Sequence, residues 1–154
     1  GSVIKPTDTT QIIHQGRGTK QNPFLVDGLD ASARIAKIEV TIDFTFSTAA
    51  CTASAQVVDK SVLGYSIISP SGKQVDLIEV GDLTGMQNGA RARMHFKDGG
   101  ATLQHIAGGT YQSADSLSQL IGENPSGEWR IVMAKQSFDY AVCQHSATLH
   151  ITTR

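Results

Sequence analysis

Between Ile38 and Phe46 every second residue is large and apolar, namely Ile38, Val40, Ile42, Phe44 and Phe46, and the residues between them are Glu39, Thr41, Asp43 and Thr45. Side chains alternate across a strand with period two, so this stretch acquires one apolar and one polar face only when extended. A helix would scatter the same residues around its circumference. The spacing therefore predicts a strand from Ile35 to Phe46, packed on one side and facing water on the other.

The rest of the chain reads as further short strands separated by turns. Val62 to Ser69 runs into Ser69-Pro70-Ser71-Gly72 and out through Lys73 to Val80. This is a β-hairpin in which Pro sets φ and Gly supplies the positive φ of a tight turn. Alternation returns from Arg91 to Phe96 and ends at Lys97-Asp98-Gly99-Gly100, which reads as a turn. Short strands are expected at Ala55–Val58, Leu103–Ile106, Glu128–Ala134 and Ala147–Thr153. Ser113 to Ile121 is the helical phrase, capped by Ser113 or Asp115 and ended by Gly122. Residues 1–22 read as an irregular lead-in or short edge strand, with Gly1-Ser2 as the remnant of a removed tag, and residues 23–154 as the sandwich. About eight strands at intervals of roughly 8–12 residues predict an all-β, jelly-roll-like antiparallel β-sandwich with at most one short helix.

Composition agrees with one such domain. The chain has 154 residues, 40% of them hydrophobic, enough for one core and short for two. Thirteen Lys plus Arg against fourteen Asp plus Glu leaves a net charge of −1, which gives no basic footprint for a nucleic-acid backbone. No apolar run approaches the roughly 18 residues that span a bilayer, so membrane insertion is not expected.

Motifs for chemistry are sparse. His14, His95, His105, His145 and His150 fall into no metal-binding spacing, and no G-x-S-x-G elbow marks a hydrolase, so no catalytic residue is assigned. Asp98 beside Gly99-Gly100, and Asp82 with Asn88, are candidate oxygen ligands for calcium from separate loops. Turn capping by the same carboxylates is the simpler reading. Apart from calcium, no cofactor is implied. Tyr111 and Tyr140, in expected loops, are the candidate ligand-contact residues, with Tyr65 a further exposed aromatic, whereas Trp129 in an alternating strand reads as core rather than as a sugar platform. Cys51 and Cys143 are either a disulfide or two small core residues.

The order of an apolar strand, the Ser69-Pro70-Ser71-Gly72 turn, Phe96 and Asp98, then Gly127, Trp129, Ile131 and Met133, resembles the P domain, also called P/Homo B. That domain follows the catalytic domain in proprotein convertases and in secreted bacterial subtilisin-like proteases. The resemblance runs from about Phe24 to the end, with departures. Val62-Leu63 stands where the family has Asp-Leu, Lys73 where it has Thr and Lys135 where it has Asp, and the last strand lacks the usual Trp. It implies a noncatalytic accessory sandwich of a secreted or surface protein, which stabilises or assists the folding of an adjacent subtilisin-like protease domain. The partner is then a neighbouring domain. The lost acidic positions leave room for another role, a carbohydrate- or protein-binding module of an adhesin, phage tail or other virion part. Its contact surface, a protein or glycan surface, would meet the loops around 81–90, 107–112 and 136–141.

Overall fold

The computed structural model describes residues 1–48 and 51–154, which form a β-sandwich without an α-helix among them. The larger sheet is built around β5 (Ile35–Ser47), flanked by β13 (Ala141–Thr153) and β10 (Ala90–Ala101). Beyond β10 lies β11 (Gly109–Tyr111), paired in parallel, while every other pairing is antiparallel. The smaller sheet has the order β4 (Gly18–Val26), β12 (Gly127–Lys135), β7 (Leu63–Ile68) and β8 (Gln74–Ile78). A two-stranded ribbon, β6 (Val57–Asp59) with β9 (Met86–Asn88), stands beside them.

The alternation in β5 lands as its period demands. Ile38, Val40, Ile42, Phe44 and Phe46 are all buried and meet Tyr65, Ile67, Leu77, Trp129, Ile131 and Met133 from the smaller sheet in one core. Phe44 and Tyr65 touch across the sheets with ring centroids 5.2 Å apart. In β13 the register shifts between Gln144 and Ser146, so Val142 and Gln144 point inward before the shift and Ala147, Leu149 and Ile151 after it. Such a bulge resets which face a strand presents.

Several local expectations are corrected. Of the two alternatives for 1–22 the edge strand forms, in pieces: β1 (Val3–Ile4), β2 (Thr7–Asp8) and β3 (Ile12–His14) run along the edge of β13, and β4 begins at Gly18. These are edge pieces with little to bury, so their sequence carries weak periodicity. Their pairing also raises the strand segments above the expected eight, to thirteen among the described residues. Lys97-Asp98-Gly99-Gly100 does not turn; β10 continues to Ala101, with Gly99 at φ 86° and the register against β11 shifting between Phe96 and Ala101. No strand forms at Leu103–Ile106. The helical phrase is a 3₁₀ turn, Leu117–Leu120, capped by Ser116 rather than Ser113 or Asp115, and a second 3₁₀ turn covers Lys60–Val62.

Candidate functional site

The two turn phrases of the resemblance interlock. Ser69 N–H donates to the Lys73 carbonyl at 2.9 Å and Gly72 takes a φ of 91°, closing the hairpin between β7 and β8. Glu123 accepts from the hydroxyls of Ser69 (2.9 Å) and Ser71 (2.7 Å), tying this turn to the one before β12. A Cβ on Gly127 would meet Pro70 at 3.0 Å, so glycine is required there both for this approach and for its φ of 123°. Trp129 is fully buried and its indole N–H donates to the Pro125 carbonyl at 2.9 Å. Ser69, Pro70, Ser71, Gly72, Gly127 and Trp129 are therefore scaffold.

The loop aromatics are placed differently from expectation. Tyr111 is half-buried, with its ring 6.4 Å from Phe96 and its hydroxyl donating to the carbonyls of Ala107 (2.8 Å) and Gly108 (3.2 Å). Tyr140 is half-buried with its ring 5.7 Å from Phe46, and Tyr65 is core, its hydroxyl donating to Gln144 at 2.8 Å. Tyr111 and Tyr140 thus pack against the edge of the core, and Tyr65 lies inside it. Asp98 serves as a cap at long range: it accepts from the backbone N–H groups of Leu117 and Ser118, the Ser116 hydroxyl and the Gln112 amide. Burial opposes its ionisation, but these hydrogen bonds outweigh that effect and hold its carboxyl below the usual range. Asp82 accepts from the Glu79 backbone N–H at 3.2 Å, closing a turn. Among the described residues no group of three or more His, Cys, Asp or Glu side chains is arranged to hold a metal ion.

One end of the sandwich carries the features of a contact surface. Cys51 and Cys143 are joined, resolving the alternatives left by the sequence. The bond anchors the connection after β5 to the outer face of β13, beside Gln11, whose amide lies 3.2 Å from Cys143 Sγ. At the same end Lys135 is 1% exposed, and its ammonium donates to the carbonyls of Gln15 (3.0 Å), Ser137 (3.2 Å) and Tyr140. Desolvation pushes its pKa down, and three carbonyl acceptors compensate the buried charge. So secured, the 136–140 connection presents Phe138 at 73% exposure, and Val57 and Met86 are exposed on the β6–β9 ribbon. In the loop expected at 136–141 the exposed aromatic is Phe138, while Tyr140 is half-buried. Neighbour Phe138 has no partner pattern to betray its exposure.

The outer face of the larger sheet holds the densest cluster of titratable groups. Thr41 Oγ1 lies 2.7 Å from His95 Nδ1 and 2.8 Å from His150 Nε2, and His95 Nε2 lies 2.5 Å from Glu39. A single hydroxyl serves both rings by donating to one nitrogen and accepting from the other. Lys37, 2.8 Å away, together with His95 outweighs burial and holds Glu39 down to about 2. Further along, Thr45 Oγ1 meets His145 at 2.8 Å and Arg91 pairs with Asp43 at 3.2 Å. His95 and His150 are thus surface residues on alternate positions, as their strands imply, but their convergence depends on β10 and β13 both flanking β5.

Burial lowers the pKa of His14, His145 and His150 below their ordinary 6.5. A group with a depressed folded pKa leaves the unfolded chain binding more protons, so stability is complete above about 6.5 and declines as pH falls through the folded values. Glu39 adds a second loss between 4.5 and about 2. The melting temperature is expected to hold between pH 8 and 7 and to drop progressively from pH 6 to 4, with a smaller drop in His150→Gln. A melting temperature that rises on acidification over that range would contradict the placement of these rings.

Fold and surfaces together define a disulfide-crosslinked, two-sheet β-sandwich with an apolar loop end and a polar, histidine-bearing outer face. No family model matches the chain, and no curated protein matches it. Among solved structures it is similar to the serine protease of Aeromonas sobria in complex with its chaperone, at 10% identity and a TM-score of 0.47 over 98% of this chain. A structure of the same organism's serine protease alone gives 10% identity and 0.44 over 98%. The chain spans 27% of the length of each of those chains.

Proposed function

We propose that this chain is a noncatalytic accessory β-sandwich of a larger secreted or surface protein, of the P-domain kind, that packs against a neighbouring subtilisin-like protease domain and supports its folding. The observation that carries this reading is the apolar loop end: Phe138 is 73% exposed, Met86 58% and Val57 51%. Exposed apolar side chains, one of them on a connection held by a buried lysine, cost water contact without gaining core, which supports a surface completed by a partner. The order of the turn and Trp motifs supports the family, and the disulfide fits an oxidising compartment.

The test is the triple variant Val57→Thr, Met86→Gln, Phe138→Ser in the parent chain. All three positions are exposed, so the isolated sandwich is expected to melt within about 2 °C of the original. Its contact with the adjacent domain is expected to loosen, seen as faster protease cleavage between the two domains and a lower yield of folded neighbour. Unchanged cleavage and unchanged yield would overturn the reading.

A further inference from the structure

The chain contains three asparagines, and the residue after each decides what its side-chain amide can do. Asn22 precedes Pro23 and Asn124 precedes Pro125. A proline nitrogen has no proton to lose, so it cannot attack the amide before it. Both side chains are also engaged: Asn22 Nδ2 donates to Asp8, while Asn124 donates to the Ala31 carbonyl at 3.2 Å and accepts from the Ser126 N–H at 2.9 Å. Asn88 differs on every count. It precedes Gly89, which has no Cβ to hinder attack by its nitrogen. Its side chain is exposed, and among the described residues it makes no hydrogen bond.

The backbone around Asn88 is lightly held. β6 and β9 make a ribbon of three residue pairs, Val57 with Asn88, Val58 with Gln87 and Asp59 with Met86, separate from the two main sheets. Two strands of this length are marginal by themselves. Gln87 ties the ribbon to the body of the sandwich, its side-chain amide donating to the Ile106 carbonyl at 2.7 Å and accepting from the Ile106 N–H at 3.0 Å. The Gly89 N–H donates to the Gln56 carbonyl at 2.7 Å, so the nitrogen beside the Asn88 side chain is occupied while the ribbon is closed.

We propose that Asn88 is this protein's site of spontaneous deamidation and that opening of the β6–β9 ribbon gates the reaction. Released from Gln56, the Gly89 nitrogen attacks Asn88 Cγ: the N–Cγ bond forms, the Cγ–Nδ2 bond breaks, and ammonia leaves with the proton from Gly89. Water then adds to either carbonyl of the succinimide and opens the ring, giving aspartate or isoaspartate at position 88. Either product puts a carboxylate opposite Val57 on a ribbon edge that carries Met86 two residues away. Isoaspartate also lengthens the backbone by one atom, next to a glycine so closely seated that a Cβ there would meet the Ser54 carbonyl at 3.1 Å and Ser47 Oγ at 3.3 Å. Where the ribbon belongs to the docking surface proposed above, the product carries a charge into that contact; the chemistry itself does not depend on that reading. Asp27-Gly28 and Asp98-Gly99 can close the same ring only by losing water and regain it on reopening, so neither changes mass.

The experiment incubates the folded protein, the same chain unfolded in guanidinium, and the variant Gln87→Ala at mildly alkaline pH. Peptide mass mapping follows amide-to-acid conversion at each asparagine, enzymatic methylation counts isoaspartate, and the melting temperature checks that Gln87→Ala stays folded. The expected result is conversion at Asn88 alone, about 10–100-fold slower in the folded protein than in the unfolded chain, because opening a short ribbon costs less than unfolding the core. Losing the two Gln87 hydrogen bonds is expected to raise the folded rate about tenfold and leave the unfolded rate unchanged. Asn88→Gln, which would need a ring one atom larger, is expected to abolish the conversion. Earlier conversion at Asn22 or Asn124, or none at Asn88 in the folded protein, overturns the site. Equal rates in the folded and unfolded chains, or in the parent and a folded Gln87→Ala, overturn the ribbon as the gate.

Discussion

Trp129→Ala is expected to cost about 3–5 kcal/mol of unfolding free energy. The indole is fully buried in the core between the sheets, on the same face of β12 as Ile131 and Met133. The loss has a polar component too, because the Pro125 carbonyl would lose the indole N–H that reaches it at 2.9 Å. Trp129→Phe separates the two: it restores most of the apolar volume and removes only the N–H, so it is expected to cost about 1–3 kcal/mol. Urea unfolding followed by far-ultraviolet circular dichroism measures both, since Trp129 is the chain's one tryptophan and its fluorescence disappears with it. A cost below about 1 kcal/mol for Trp129→Ala would contradict its position in the core.

Removing the crosslink in Cys51→Ser/Cys143→Ser is expected to be of similar size. The bond joins residues 92 apart, and the chain-entropy account assigns a loop of that length about 4–5 kcal/mol. For a domain of this size each kcal/mol shifts the melting temperature by about 2–4 °C, which gives a drop of about 8–20 °C. Locally the change is small: Ser matches Cys in size, and Gln11 still covers position 143. Cys51 holds a left-handed backbone, φ 56°, that non-glycine residues adopt at a cost, so the freed connection is expected to relax as well. Calorimetry of the oxidised protein and of the double variant makes the comparison, with denaturing, nonreducing alkylation expected to add no label to the parent. A difference under about 2 °C would mean that the unfolded chain is already restricted without the bond.

Both effects bear on the accessory reading. A module that meets its partner through exposed apolar side chains needs the connections carrying them held in place when unpartnered. The disulfide and the Lys135 clamp do this at the end where Phe138 projects. Lys135 stands where the resembled family has an acidic residue, and its inward ammonium donates to the backbone carbonyls of Gln15, Ser137 and Tyr140.

What the amino-acid sequence determined by itself was local and two-faced. The alternation of β5, the Ser69-Pro70-Ser71-Gly72 hairpin, the strand through Trp129 and the last strand are all legible. In each, a residue's own burial repeats with the period of the backbone. The edge strands at Val3–His14 were legible only as one of two alternatives, because an edge strand buries little, and the continuation of β10 through Gly99-Gly100 was not, because a glycine pair reads as a turn wherever it stands. Only the tertiary structure decided which strands lie side by side. It placed β10 and β13 on either flank of β5, across sequence separations of 54 and 109 residues at the Thr41–His95 and Thr41–His150 contacts. That choice brought His95 and His150 together with Glu39 around Thr41 and made two distant cysteines into a bond. Periodicity reports the environment of one strand, whereas the partner of a strand is settled by how all the apolar faces close together into a single core.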